Sequence, residues 1–264
     1  GGFYSVIDNV GWGEMYASSS YMDLISKHPE DARKGFIAPP YITGSNDEQI
    51  PIVFWVDEEY NYVIKETYIS NGNTYFEDDG NEIEVVEEEE GSITRYYYMD
   101  GSEKVYVTKE FKTEDRFGYP KFFITKASQQ EGLAQLWSPV ISRLAEMYLN
   151  RAEAYAKSGN EMMALQDINI IRERAGIPTY NISDLPDNTS VLDVVLEERR
   201  LEMAFEGWRK FDVFRNNQTL NRRYPGVHFD GGSIREEITP DDPRVILFIP
   251  EQQIDVQPGL EQNP

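Results

Sequence analysis

Between residues 139 and 176 apolar positions return at three- and four-residue steps, the spacing of a helix that buries one side. Val140, Leu144, Met147, Tyr148, Ala152 and Tyr155 form one stripe. Ala145, Leu149, Ala152 and Ala156 form a second beside it, small enough for a neighbouring backbone to come close. Ser158-Gly159-Asn160 breaks the pattern with a glycine stop and a candidate N-cap, and Ala164, Leu165, Ile168 and Ile171 carry a second helix to Gly176 and Pro178. The pair predicts a tetratricopeptide-like helical hairpin, which cannot bury two faces alone and so requires neighbours. A further helix is predicted after Thr189 or Ser190, through Val191, Val194, Val195, Glu198, Leu201, Glu202 and Phe205, with an amphipathic stretch from Trp208 to Arg215 behind it. Residues 21–28 predict a short helix ended by Pro29.

The period changes over residues 51–112. Residues 52–56, 62–64, 82–85, 93–99 and 104–108 read as strands, with turn signals at Asn71-Gly72-Asn73 and Asp100-Gly101 and an acidic run, Glu87 to Glu90, closed by Gly91. We therefore expect a β-rich insertion at 51–112 and a helical core at 139–215. The expected fold class is mainly α: an α-α superhelix with a tetratricopeptide-like hairpin, the β-rich insertion and irregular loops. Near the C-terminus the apolar run 245–249 predicts a short buried strand ended by Pro250. Residues 251–264 are too polar and proline-rich to predict an independent helix, with Ile254, Val256 and Leu260 available to pin them down.

Composition narrows the function. With 264 residues, 40% of them hydrophobic, the chain can close a substantial core as one domain or two packed subdomains. A formal charge of -22 disfavours nucleic acid and anionic membrane surfaces and suits a neutral or weakly polar partner. The absence of Cys excludes disulfide and thiol chemistry, and two His make a histidine-rich metal site an unpromising expectation. No apolar run reaches the roughly 18 residues of a membrane span, and residues 1–16, apolar and aromatic among glycines, read as a start inside a larger structure. Phosphate loop, dinucleotide fingerprint, zinc cluster and nucleophile elbow are all missing, so no catalytic residue, metal or cofactor is expected.

Four stretches carry a family resemblance. They are Pro139-Val140 followed by Arg143-Leu144-Ala145-Glu146-Met147-Tyr148-Leu149-Asn150-Arg151-Ala152-Glu153-Ala154; Asn169 with Ile171-Arg172 and Arg174-Ala175-Gly176; residues 197–207 with Trp208-Arg209, Asp212 and Arg215; and Ile249-Pro250-Glu251, Ile254 and the closing Gln262-Asn263-Pro264. In this order they resemble the C-terminal half of the RagB/SusD family of nutrient-binding outer-membrane lipoproteins, and Asp31 with Arg33 resembles another family element. The resemblance implies that the whole chain, 1–264, is the C-terminal portion of a SusD-like domain. It also implies noncatalytic binding of a glycan or related nutrient at the bacterial outer membrane, for delivery to a SusC-like TonB-dependent transporter. Attachment would be through an N-terminal lipid anchor that this sequence does not contain. The alternative is a helical scaffold that binds a peptide or protein, motivated by the two-faced hairpin.

Sugar rings need aromatic faces bordered by hydrogen-bonding groups, and Trp12, Tyr16, Trp55 and Tyr60 are the candidate ligand-binding residues, within a wider pool that includes Tyr96, Tyr97 and Tyr98. Arg143, Glu198, Arg199, Glu202, Arg209 and Asp212 are expected to form a structural network between helices, because guanidinium forks can serve several carboxylates at once. Asp31, Arg33 and Lys34 read as a cap or pin for a loop. Asp78, Asp79, Asn81, Glu82 and Glu84 could offer oxygen ligands to calcium, although their order is not that of an EF-hand and a solvated hairpin is the simpler reading.

Overall fold

The computed structural model describes residues 15–264 except 92, 129, 134–135, 139, 187, 227, 229–235, 258 and 264. It divides into two compact units, Gly1–Glu206 with Tyr224–Gly226, and Gly207–Arg223 with Val227–Pro264. No helix among the described residues is long and apolar enough to cross a membrane.

The first unit corrects the expected fold class. Six antiparallel strands, β1 (Pro51–Val56), β2 (Tyr62–Ser70), β3 (Asn73–Asp78), β4 (Asn81–Glu90), β5 (Ile93–Asp100) and β6 (Glu103–Phe111), close into a barrel in sequence order, with β6 returning to pair with β1. The chain is therefore not a mainly α superhelix with a minor insertion. Its sheet is large because strand pairing runs straight through the acidic stretch: Ile83 and Val85 face inward, Glu84, Val86 and Glu88 share the outer face, and Glu87, in the register of Val85 and opposite Tyr96, is exposed. Charge on the outward positions hides a long strand from a hydropathy reading. Closure leaves no unpaired edge, and β1 shows why it is continuously apolar. Val53 and Trp55 pack inside the barrel, while Ile52 and Phe54 pack outside against the helical core. The turns use left-handed backbone at Asn71-Gly72 and Asp79-Gly80, the conformation that two-residue hairpins require.

Helix α1 (Ser19–Ser26) joins the barrel to the helices. Its Tyr21, Met22, Leu24 and Ile25 share one core with Ile52 and Phe54 of β1, Phe122, Ile124, Leu201 and Ala204. A small hairpin, β7 (Asp115–Arg116) and β8 (Tyr119–Pro120), leads on towards the helices. α2 (Leu144–Lys157) and α3 (Glu161–Ala175) form the hairpin, and α4 (Val191–Glu202) packs on both. Gly176 ends α3 in left-handed conformation, with the Ile177 amide donating to the Arg172 carbonyl. The Asn160 side chain does not cap α3; it donates to Ser158 Oγ instead. Ser190 and Asp193 form a reciprocal capping box at the start of α4. Of the two stripes on α2, the small one is buried at Ala145, Leu149 and Ala152, whereas Leu144 is 70% exposed and Met147 46%. Close backbone approach on the alanine side leaves the large residues facing out.

The second unit holds α5 (Arg209–Arg215), a two-stranded ladder of β9 (Leu220–Asn221) and β10 (Glu237–Ile238), and α6 (Glu251–Val256). Two local expectations are corrected here. The run 245–249 is not a buried strand: Ile246, Leu247 and Phe248 are exposed. The Gln262 side chain takes both backbone groups of Ile249, and Asn263 donates to the Leu247 carbonyl, so amide side chains stand where a neighbouring strand would. Residues 251–256 are helical after all, with Pro250 at the N-cap setting the entry.

Candidate functional site

Glu198 and Glu202 lie one turn apart on α4, and Glu206 follows one turn's length later in sequence. Like charges at that spacing weaken a helix unless cations arrive from elsewhere. They arrive from four other segments. Arg33 donates to Glu198 at 2.6 Å and is gripped by Asp31 through Nε and Nη2 at 2.9 and 2.7 Å. Arg172 of α3 donates to the other Glu198 oxygen at 3.0 Å, to the Pro178 carbonyl at 2.6 Å, and lies 4.0 Å over the Tyr180 ring. Its remaining Nη contacts His28 Nε2 at 3.1 Å. Glu202 takes Arg174 at 2.5 Å and Arg143 directly; burial alone would raise its carboxyl, but these two partners hold it below its ordinary value. Glu206 takes Lys126 at 2.6 Å and Arg143 at 2.7 Å. Lys126 also donates to the carbonyls of Glu202, the last residue of α4, and Ala204 just beyond it, and Arg143 shares the first of these.

A cavity of about 370 Å³ opens beside this cluster. Phe36, Trp137, Val140 and Phe205 supply apolar wall, and Lys126, Arg143, Arg174 and Glu206 supply its polar side. Lys126 Nζ sits 4.4 Å over the Phe36 ring, and burial lowers its pKa. Most of the cations are already engaged by carboxylates. Arg174 keeps the greatest reach, with its side chain 57% exposed and one donor held by Glu202. The Glu206 carboxylate retains acceptor capacity, its Oε2 having only a 3.4 Å contact from Arg143 Nε. An aromatic wall facing spare donors and acceptors can hold a small polar ring with an apolar face.

The structure brings Arg143, Glu198 and Glu202 of the expected network together. Arg199 turns to Asn150 Oδ1 at 2.8 Å instead, and Arg209 and Asp212 lie in the second unit, where Asp212 holds Arg215 at 2.8 Å. Asp31 and Arg33 do pin a local turn, since the Asp31 carboxylate accepts from the Arg33 amide, and they also reach α4. Lys126, Arg172 and Arg174 were not singled out as network members, because nothing local marks a cation whose partner is about 30 to 80 residues away. Among the candidate platforms, Trp12 lies outside the described residues. Tyr16 packs edge-on against Phe123 at 5.4 Å, and Trp55 contacts Phe76 and Tyr98 at 5.8 and 5.2 Å inside the barrel. Tyr60 stands at positive φ in the turn between β1 and β2. Trp137 escaped attention at the end of a polar connecting stretch. Asp78 of the acidic group pairs with Lys65 of the neighbouring strand β2, Glu82 accepts from Tyr68 and Glu84 from Asn73.

Comparison with known proteins gives the architecture a family. A SusD-like protein of Formosa agariphila is 34% identical over 87 residues, which make up 31% of this chain and 17% of that protein. Two solved structures are 30% identical: a putative sugar binding protein from Bacteroides vulgatus, covering 47% of this chain and 28% of that one with a TM-score of 0.37, and a SusD superfamily protein from Bacteroides thetaiotaomicron, covering 56% and 32% with a TM-score of 0.41. The chain thus spans about a third or less of the length of these relatives. The model of the SusD family matches residues 9–264, nearly the whole sequence, and by that match the chain belongs to the SusD family.

Proposed function

We propose that this chain is the ligand-binding part of a noncatalytic glycan-binding protein at the bacterial outer membrane, lipid-anchored in its full form and delivering cargo to a SusC-like TonB-dependent transporter. The cavity beside α4 carries this reading. Trp137 and Phe205 offer faces for the apolar side of a sugar ring, and Arg174 and Glu206 offer a donor and an acceptor for its hydroxyls. Family membership supports the ligand class and the location. The deficit of 22 positive charges, repelling anions, favours a neutral glycan.

Titration calorimetry with neutral oligosaccharides of α-1,4-glucan, β-1,4-glucan, xylan and mannan tests the reading. Trp137→Ala is expected to weaken the binding of a responding sugar about tenfold. Unchanged affinity removes the cavity as the site. The helical-scaffold reading keeps one specific support, the outward-facing Leu144 and Met147 of α2. It gains if an immobilised peptide array binds the chain, Leu144→Ser abolishes that binding, and no sugar responds.

A further inference from the structure

A second concavity, about 340 Å³, lies between the C-terminal half of α1 and the outer face of β5 and β6. It is built differently from the first. Asp23, Ser26 and Lys27 line it from the helix, and Arg95, Tyr106 and Thr108 from the barrel. The wall is held in place from both sides. The Thr94 amide donates to the Lys27 carbonyl at 3.0 Å, and Lys27 Nζ is tied to Glu197 of α4 at 2.8 Å.

Its polar groups are incompletely used. Ser26 Oγ is buried without a hydrogen-bond partner among the described residues, an unfavourable state that a ligand hydroxyl would relieve. Asp23 is exposed and makes no ion pair among the described residues. Among the described residues Arg95 has a single carboxylate partner, Glu90 at 3.4 Å, and its guanidinium rests 5.4 Å over the Tyr106 ring, which is 45% exposed. The cleft therefore presents an unspent acceptor, an unspent hydroxyl, a loosely held forked donor and an aromatic face within one small space. A ligand that suits all four must both donate and accept at several points and carry an apolar face. Charges of both signs on the lining give no preference for a net anion or cation, and the -22 of the whole chain disfavours anions. These are the requirements of a neutral sugar.

We propose that this cleft is a second carbohydrate site, holding one end of a neutral oligosaccharide or a separate one. Tyr106 stacks on the sugar once Arg95 swings aside, Asp23 and Ser26 accept and donate to its hydroxyls, and Arg95 closes over its edge. The choice of sugar class rests on the glycan reading above, while the site itself stands on other residues.

The test is calorimetry of the 264-residue chain with the same neutral oligosaccharides, alongside the zwitterionic dipeptide Ala-Ala. The wild type is expected to show binding at both sites. Tyr106→Ala and Asp23→Asn, both at exposed positions, should each weaken one binding event about tenfold and leave the other intact, whereas Trp137→Ala should do the reverse. If the Tyr106 and Asp23 variants bind as the wild type does, the cleft is not a carbohydrate site, whatever Trp137→Ala does. If Trp137→Ala is silent while Tyr106→Ala and Asp23→Asn weaken binding, the cleft stands and the cavity beside α4 falls. Dipeptide binding in the cleft without a sugar response overturns the ligand class, and no response to any sugar overturns both sites.

Discussion

The barrel and the α4 ion cluster use charge in opposite ways. In the barrel the centre is apolar, with Val53, Phe76, Val85 and Val107 buried, and the charge of β4 is carried at exposed or half-exposed positions, in pairs such as Lys104–Glu88. Around α4 the buried centre is itself ionic. Asp31, Arg33, Arg172, Glu198 and Glu202 are all almost fully covered, and each acid is held by at least one guanidinium. Outward charge in a strand pattern can be exchanged singly because water replaces the lost partner. Buried charge cannot, since losing one member strands the others in a medium that solvates them poorly.

The largest effect should therefore come from Glu198→Ala. Among the described residues, that change leaves Arg33 with Asp31 and a longer 3.8 Å contact to Glu202, and Arg172 with a carbonyl, an imidazole and a ring face. Breaking a buried pair in this way costs about 3–5 kcal/mol, read as a lowered urea midpoint at unchanged slope. A loss below about 1 kcal/mol, the range of surface pairs, would mean that the cluster is hydrated and that the two regions do not differ as described.

A smaller effect should appear on acidification. Burial first, and the Arg172 guanidinium second, lower the His28 pKa from 6.5 to about 4 in the folded chain. Between those values the unfolded chain binds a proton that the folded chain refuses, so stability falls as pH drops from 6.5 towards 4, and this group adds nothing further below that. Urea midpoints at stepped pH should show the slope in the wild type and a flatter one in His28→Asn, which keeps an acceptor for Arg172 but cannot titrate. An equal slope in both would assign the pH dependence to another group.

The end of α3 and the start of α4 were legible because their signals are local, whereas the helix expected from about residue 139 begins at Leu144 and Asn160 makes no side-chain cap. Gly176 needs only its own backbone angle, and Ser190 with Asp193 needs three residues. The turns at Asn71-Gly72 and Asp79-Gly80 are local in the same sense, although the Asp79-Gly80 turn was read only within a solvated acidic hairpin. Barrel closure was not legible, because it depends on β6 finding β1 across some 50 residues, as in the pairing of Val53 with Lys109. The same distance hid the site. Arg143, Glu198 and Glu202 stood out as members of one network, but the further partners Arg33, Arg172 and Arg174 are ordinary arginines until the fold gathers them. Trp137 carried no periodic signal at all. The proposed wall of the cavity thus came from composition one could count but not place.

The smallest expected effect gives the sharpest control. Lys104 Nζ donates to Glu88 at 2.5 Å, a geometry as close as several contacts in the buried cluster, and Glu88→Gln removes its charge. Both side chains are more than a third exposed, however, and Lys104 also lies 4.2 Å over the Tyr97 ring. Water and the ring remain to the ammonium after the carboxylate is gone, so neither strand loses a group it needs. The Tm of Glu88→Gln should match the wild type at low and at physiological salt. Distance alone would rank this pair with Arg174–Glu202; a Tm drop approaching that of Glu198→Ala would show that proximity, rather than burial, decides what an ion pair is worth here, and the distinction between barrel and cluster would lose its basis.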